Sequence, residues 1–188
     1  MGKNGGYKIA VSGAAITSVC NIKAPKLAEE VGKEIVKQGC ILVTGATTGI
    51  PDFSAKGAKA VGGFSVGFSP ASTEKEHIKK YKLPTKNYDV IVYTGSGYAG
   101  RNLLMTRAAD GIIVICGRMG TLNEFTIAFE DEKPIGILTG TGGTADKIKN
   151  LLKRPFRGHH DVVYDSDPKQ LVKKLIQLVK EEKKQNGN

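Results

Sequence analysis

Tryptophan is absent from the chain, and aromatic residues make up only 6% of it. Single-stranded nucleic acid is usually gripped by basic grooves with interleaved stacking rings. No basic–aromatic repeat of that kind is present, so nucleic acid is not an expected partner. Long apolar runs are also missing: none approaches the roughly 20 residues that a membrane-spanning helix needs. The opening Met-Gly-Lys-Asn-Gly-Gly has no apolar stretch, so no secretory leader is expected. Cysteine is scarce. Cys20, Cys40 and Cys116 are an odd number, widely spaced, with no Cys-x-x-Cys pair. That pattern predicts reduced thiols and a cytoplasmic setting, with Cys40 and Cys116 as inert residues of apolar strands. His77, His159 and His160 form no ligand spacing with any cysteine, so no metal is expected. A G-x-x-x-x-G-K-[ST] motif is lacking, which argues against a P-loop NTPase.

What is present is a globular composition. The 188 residues are 40% hydrophobic, and 28 Lys and Arg against 18 Asp and Glu leave a net charge of +10. The length suits one domain, 1–188, with 1–6 and 183–188 expected to be flexible. The basic residues are scattered over Lys75 to Lys86, over Lys147, Lys149, Lys153, Arg154 and Arg157, and over the C-terminal segment. Such scatter predicts a solvated surface whose positive field draws in small anions.

Continuous apolar runs predict strands at Lys8–Gly13, Cys40–Gly45, Phe64–Pro70, Asp89–Gly95, Gly111–Gly117, Pro134–Gly140 and Asp161–Tyr164. Helical spacing fills the intervals, including Ala24–Gly39, Asp52–Val61, Thr73–Tyr81, Arg101–Ala109, Thr121–Glu132 and Ala145–Leu152. A last helix follows Asp167 and Pro168. Strands that are apolar throughout, alternating with helices, are the mark of parallel strands covered on both faces. The fold class is therefore α/β, a single-domain Rossmann-like doubly wound parallel sheet of about seven strands.

Ligands of such sheets bind beyond the carboxyl ends of the strands. Four of those ends carry glycine turns: Ser12-Gly13, Gly45 to Gly49, Gly95 to Gly100 and Gly117 to Thr121. Glycine lets backbone approach a ligand, and the following helix N-termini favour phosphate. Gly95 to Gly100 spells G-x-G-x-x-G, but after the fourth strand and without an acid ending the next, so it is not read as a dinucleotide fingerprint. Arg101 follows this turn, and its guanidinium suits bidentate phosphate recognition. Glu124 lies three residues after Thr121, which also fits a capping box. Arg107 is expected to form a surface ion pair with Asp110 or a neighbour.

Taken together, Gly120-Thr121-x-x-Glu124, Arg101 nine residues before Asp110, Thr44 to Gly49, Gly57-Ala58 and Gly62-Gly63 resemble the LOG family, proteins long labelled "lysine decarboxylases". The resemblance spans about Lys8 to Leu138. It implies a nucleotide-binding site with Arg101 and Glu124 in the positions of a catalytic pair. That pair, by resemblance, hydrolyses the N-glycosidic bond of a nucleoside 5′-monophosphate to base and ribose 5-phosphate, with no cofactor required. The ligand set implied is Ser12 and Gly13, then Gly45, Thr47, Thr48 and Gly49. Gly95, Ser96 and Gly97 follow, with Arg101 and Asn102, and Gly117, Gly120 and Thr121 complete it. Three features depart from the hydrolase pattern: Asn102 follows Arg101 where lysine is usual, Arg118 stands where a second glycine is usual, and Pro51-Asp52 replaces the usual Met-containing turn. The Arg-Asn form is closer to a branch that includes molybdenum cofactor carriers, so a non-catalytic carrier or sensor of a phosphorylated cofactor is the alternative. The resemblance also implies a homodimer or larger homo-oligomer, paired through helices that carry Leu103, Leu104, Phe125 and Phe129.

Overall fold

A computed structural model describes residues 6–152, 161–185 and 187. His159, His160, Lys153, Arg154 and Arg157 lie outside the described residues. The chain alternates strand and helix: β1 Lys8–Gly13, α1 Ala24–Lys37, β2 Ile41–Thr44, α2 Ile50–Lys59, β3 Ser65–Ser69, α3 Glu74–Lys79, β4 Val90–Tyr93, α4 Gly97–Ala108, β5 Gly111–Ile115, α5 Met119–Glu130, β6 Ile135–Leu138, α6 Ala145–Leu151, β7 Val162–Asp165 and α7 Pro168–Gln185. A single 3-10 turn, Thr17–Val19, interrupts the loop between β1 and α1.

The seven strands form one sheet in the order β4-β3-β2-β1-β5-β6-β7, parallel at every pairing. The chain steps outward from β1 to β4, then returns to the other side of β1 and steps outward again to β7. The reversal falls between β1 and β5, paired from Ile9–Gly111 to Gly13–Ile115. One apolar core holds α1, α2 and α7 against one face of the sheet; a second holds α4, α5 and α6 against the other. Strands β5 and β6 are buried along their whole length, as their unbroken apolar sequences require.

Local chemistry explains the helix ends. Gly39 at φ +77° stops α1. Asp167 caps α7 by accepting the Gln170 N–H at 2.8 Å, ahead of Pro168. Helices α1 and α2 cross closely because Gly32 and Gly57 have no Cβ, which would strike the Ser54 and Glu29 carbonyls.

Several expectations are corrected. Helices α4 and α5 start earlier than their polar residues suggest, at Gly97 and Met119. Arg101 therefore sits in the second turn of α4. Thr121 lies inside α5 rather than at its cap, and Arg118 takes the cap position with no side-chain hydrogen bond, so the capping box does not form. The segment from Lys183 is helical to Gln185, and Lys183 pairs with Asp110 at 3.2 Å. Arg107 pairs with Asp131 at 2.9 Å, not Asp110, which Lys8 holds at 2.7 Å. Phe125 points into the core, and Phe129 packs partly buried against it, so of the four apolar residues named for α4 and α5 only Leu104 is well exposed. Most consequential, Cys20 and Cys116 form a disulfide, Cα atoms 5.5 Å apart and 96 residues apart in sequence. The reading as free thiols fails because the pair is joined by topology: the loop after β1 and the end of β5 meet on adjacent strands. Cys40 alone stays a free, buried thiol, its pKa raised to about 11 by burial.

Candidate functional site

At the reversal point the loop after β1 turns toward one face of the sheet and the loop after β5 toward the other. A cleft of about 440 Å³ opens between them. Its walls come from the β1–α1 loop (Ala14, Ala15, Ile16), the β2–α2 loop (Gly45, Thr47), the first turn of α2 (Pro51), α4 (Tyr98, Arg101, Asn102) and the start of α5 (Arg118 to Thr121, Glu124). Ser12 and Gly13 lie at the end of β1.

Arg101 reaches the floor of this cleft from α4. It is 5% exposed, and its guanidinium runs over the β2 turn, where Gly45 leaves room: a Cβ there would land on Nη1. The Nη1 group donates only a long 3.4 Å hydrogen bond to the Phe68 carbonyl. Nε has no partner at all among the described residues. The Tyr98 ring lies 6.0 Å from the guanidinium carbon and is itself braced edge-on by Tyr81 at 5.6 Å. Burial disfavours the charged guanidinium and lowers its pKa; Glu124 acts in the opposite sense.

Glu124 comes from the second turn of α5 and is 6% exposed. Its carboxylate accepts the Ser12 hydroxyl, a contact spanning 112 residues of sequence. Burial raises its pKa above the ordinary carboxylate value, and Arg101 and the Ser12 hydroxyl only partly offset this. Asn102 is buried beside them, its amide donating to Asn123 at 3.0 Å. The floor thus holds a buried cation with an idle donor beside a carboxyl biased toward its neutral form.

Nine of the anticipated residues line the cleft: Ser12, Gly13, Gly45, Thr47, Arg101, Asn102, Gly120, Thr121 and Glu124. The others stand behind its walls. Thr48 donates to the Ala15 carbonyl at 3.1 Å, and Gly49, at φ +74°, packs under Ala14 and Ala15. Gly95 and Gly97 donate to Ala71 and Pro70, and the Ser96 hydroxyl donates to the Thr94 carbonyl, so that turn anchors the start of α4. Gly117, at φ +102°, tucks beneath Thr121. Sequence reading missed Ile16, Tyr98 and Met119, exposed apolar side chains at the mouth. Tyr98 was findable, as the one ring inside G-x-G-x-x-G. Among the described residues no group of three or more His, Cys, Asp and Glu is placed to hold a metal ion, and no helix is long and apolar enough to cross a membrane.

The profile of the SLOG cluster4 family matches residues 6–172. The chain belongs to that family. An uncharacterised protein of Archaeoglobus fulgidus is 31% identical over 119 residues, covering 63% of this chain and 73% of that one. The molybdenum cofactor carrier protein of Chlamydomonas reinhardtii superposes with a TM-score of 0.74 at 24% identity, covering 93% of this chain and 99% of that one. The molybdenum cofactor binding protein of Rippkaea orientalis does so with a TM-score of 0.69 at 24% identity, covering 94% and 97%. These likenesses establish a shared single-sheet fold for this SLOG cluster4 protein.

Proposed function

We propose that this SLOG cluster4 protein binds a small phosphorylated ligand, a nucleotide or a pterin-type cofactor, with Arg101 as the anion anchor. One observation carries the reading: a guanidinium that is almost fully buried, with Nε unpartnered, at the carboxyl edge of a doubly wound sheet. A buried charge without a partner is costly unless something supplies the counter-charge. The uncapped start of α5, with no acid in its first turn, adds N–H donors and partial positive charge. The likeness to two proteins named as molybdenum cofactor carrier and binding proteins supports the pterin member of this class.

Binding alone is the reading that the site favours. Hydrolysis of an N-glycosidic bond builds positive charge on the ribose, which an ionised carboxylate stabilises. Glu124 is 6% exposed and its carboxylate is already engaged by the Ser12 hydroxyl, which leaves it poorly placed to face the ribose. Hydrolysis stays the second reading because Glu124 lines the same cleft as Arg101. Neither reading calls for a metal or a further cofactor. The same proposal includes self-association through the surface of Val90, Val92 and Leu104, all exposed.

The deciding experiment is calorimetric titration with AMP, GMP and inorganic phosphate, with native mass spectrometry of the freshly purified protein. Saturable binding, or a co-purified phosphorylated ligand, supports the proposal. Ribose 5-phosphate released from AMP or GMP would move the reading to hydrolysis. Absence of both binding and a co-purified ligand overturns it.

A further inference from the structure

The Cys20–Cys116 disulfide joins the two loops that form opposite walls of the cleft. Cys116 directly follows β5 and precedes Gly117 and Arg118 on the α5 wall; Cys20 closes the loop that carries Ala14, Ala15 and Ile16 on the other. From Ala15 to Lys23 no residue is fully buried, and of this segment only Cys20 itself packs against the apolar core. Its other tethers are a few hydrogen bonds: Thr48 Oγ1 to the Ala15 carbonyl, Asn21 N–H to the Thr141 carbonyl at 2.9 Å, and the short bridge between Cys20 and Gly142. Thr141 also receives the Cys116 N–H at 2.8 Å, so the segment after β6 brackets both cysteines. A loop without buried side chains has little local stability of its own. The covalent bond is its one strong hold on the α5 wall.

We propose that this disulfide is a redox latch that positions the cleft walls for ligand, an inference that rests on the phosphorylated-ligand reading above. The opening step is thiol–disulfide exchange with a dithiol reductant. A thiolate of the dithiol attacks the Cys20 sulfur, which is half-buried, whereas Cys116 is fully buried. The Cys20–Cys116 bond breaks, a mixed disulfide forms on Cys20, and Cys116 leaves as thiolate and takes up a proton. The second thiol of the reductant then displaces Cys20, which is protonated in turn. Two electrons and two protons pass to the protein, and the reductant becomes a disulfide. Cys40 takes no part: it is buried, and its raised pKa keeps it a thiol. Once the latch is open, residues 15–23 exchange among conformations, and ligand must order them again on binding.

The test compares oxidised and dithiothreitol-reduced protein by hydrogen–deuterium exchange and by AMP titration. Reduction is expected to speed exchange across 15–23 while leaving β1 and β5 protected, and to weaken AMP binding about fivefold or more, the lower end of ordinary site coupling. Cys20→Ser should reproduce the reduced state and be insensitive to dithiothreitol. Linkage requires the converse: if the affinity loss is tenfold, saturating AMP makes the disulfide harder to reduce by about 30 mV. Unchanged exchange at 15–23 on reduction overturns the latch, as does a dithiothreitol effect that persists in Cys20→Ser. If oxidised protein binds neither AMP nor phosphate, the ligand reading fails and exchange alone judges the latch. Faster exchange with equal affinity in both states overturns the coupling to ligand.

Discussion

Replacing Arg101 by methionine should make the free protein more stable and the liganded protein less so. Met follows the arm as far as Nε, leaves the space beside Gly45 empty, and removes a charge that is 5% exposed. What is lost is one 3.4 Å hydrogen bond to Phe68, beyond the 2.7–3.2 Å range of a good one. What is relieved is the orphaned Nε, a buried unsatisfied donor that costs about 1–3 kcal/mol. Exchanging buried ionic groups for apolar ones of similar volume is neutral to stabilising. A net gain of about 1–2 kcal/mol raises the melting temperature by roughly 2–8 °C in a chain of this size. Phosphorylated ligand then has no guanidinium partner, and its binding weakens by about 2–5 kcal/mol, more than roughly tenfold in Kd. Ligand at 100 times the wild-type Kd stabilises wild type by about 2.7 kcal/mol and the variant by less than about 1 kcal/mol. Differential scanning calorimetry of both oxidised proteins, with and without AMP, measures the four melting temperatures. A variant that melts lower than wild type without ligand identifies Arg101 as a structural residue. A variant stabilised by AMP as much as wild type removes it from the site.

Ser12→Ala deprives the buried Glu124 carboxyl of its hydroxyl donor and should lower stability by about 1–3 kcal/mol, read as a drop in melting temperature. Gly45→Ala sets a Cβ on the Arg101 guanidinium and should weaken AMP binding at least about tenfold, through the roughly 1–3 kcal/mol that overpacking costs; unchanged affinity would mean that Arg101 is free to move aside. Because burial raises the Glu124 pKa, the folded protein holds that proton more tightly than the unfolded chain. The stability it contributes is complete below about pH 4.5 and fades as pH rises through the folded value. Glu124→Gln should therefore match wild type at pH 4 and melt higher than it at pH 8, while a gap that does not widen with pH contradicts the assignment. Arg118→Ala, at the exposed cap of α5, should leave the stability within about 0.5 kcal/mol of wild type and flatten the salt dependence of AMP binding.

The strands were legible because burial on both faces leaves no polar position in Ile112 to Ile115 or Ile135 to Leu138. Gly45 was legible as a place of close approach, though what approaches it is Arg101 of this same chain. Helix starts were not legible at α4 and α5, because Gly97 and Met119 carry no capping signal and the N-cap side chains Ser96 and Arg118 make no cap bond. The Cys20–Cys116 pair and the Ser12–Glu124 contact could not be read from spacing, since nothing local records which strands become neighbours.

Those neighbours explain why the site is where it is. Three links join distant parts of the chain across one seam: Lys8 to Asp110, 102 residues apart, Ser12 to Glu124, 112 apart, and Cys20 to Cys116, 96 apart. All three follow from the pairing of β1 with β5, where the winding of the sheet reverses. Between β1 and β2, and between β5 and β6, neighbouring loops lead to helices on the same face. Here one loop leads to α1 on one face and the other to α5 on the opposite face, so the backbone parts and side chains must fill the opening. Near the amino ends of these strands the gap is closed by a salt bridge. At the carboxyl ends it is left open, with a buried arginine aimed into it and a disulfide across its rim. A fold that needed only stability would have filled that opening with apolar side chains, as it does elsewhere in the sheet. The retention there of a buried guanidinium whose Nε has no partner among the described residues is the structural reason to seek an anion that belongs in it.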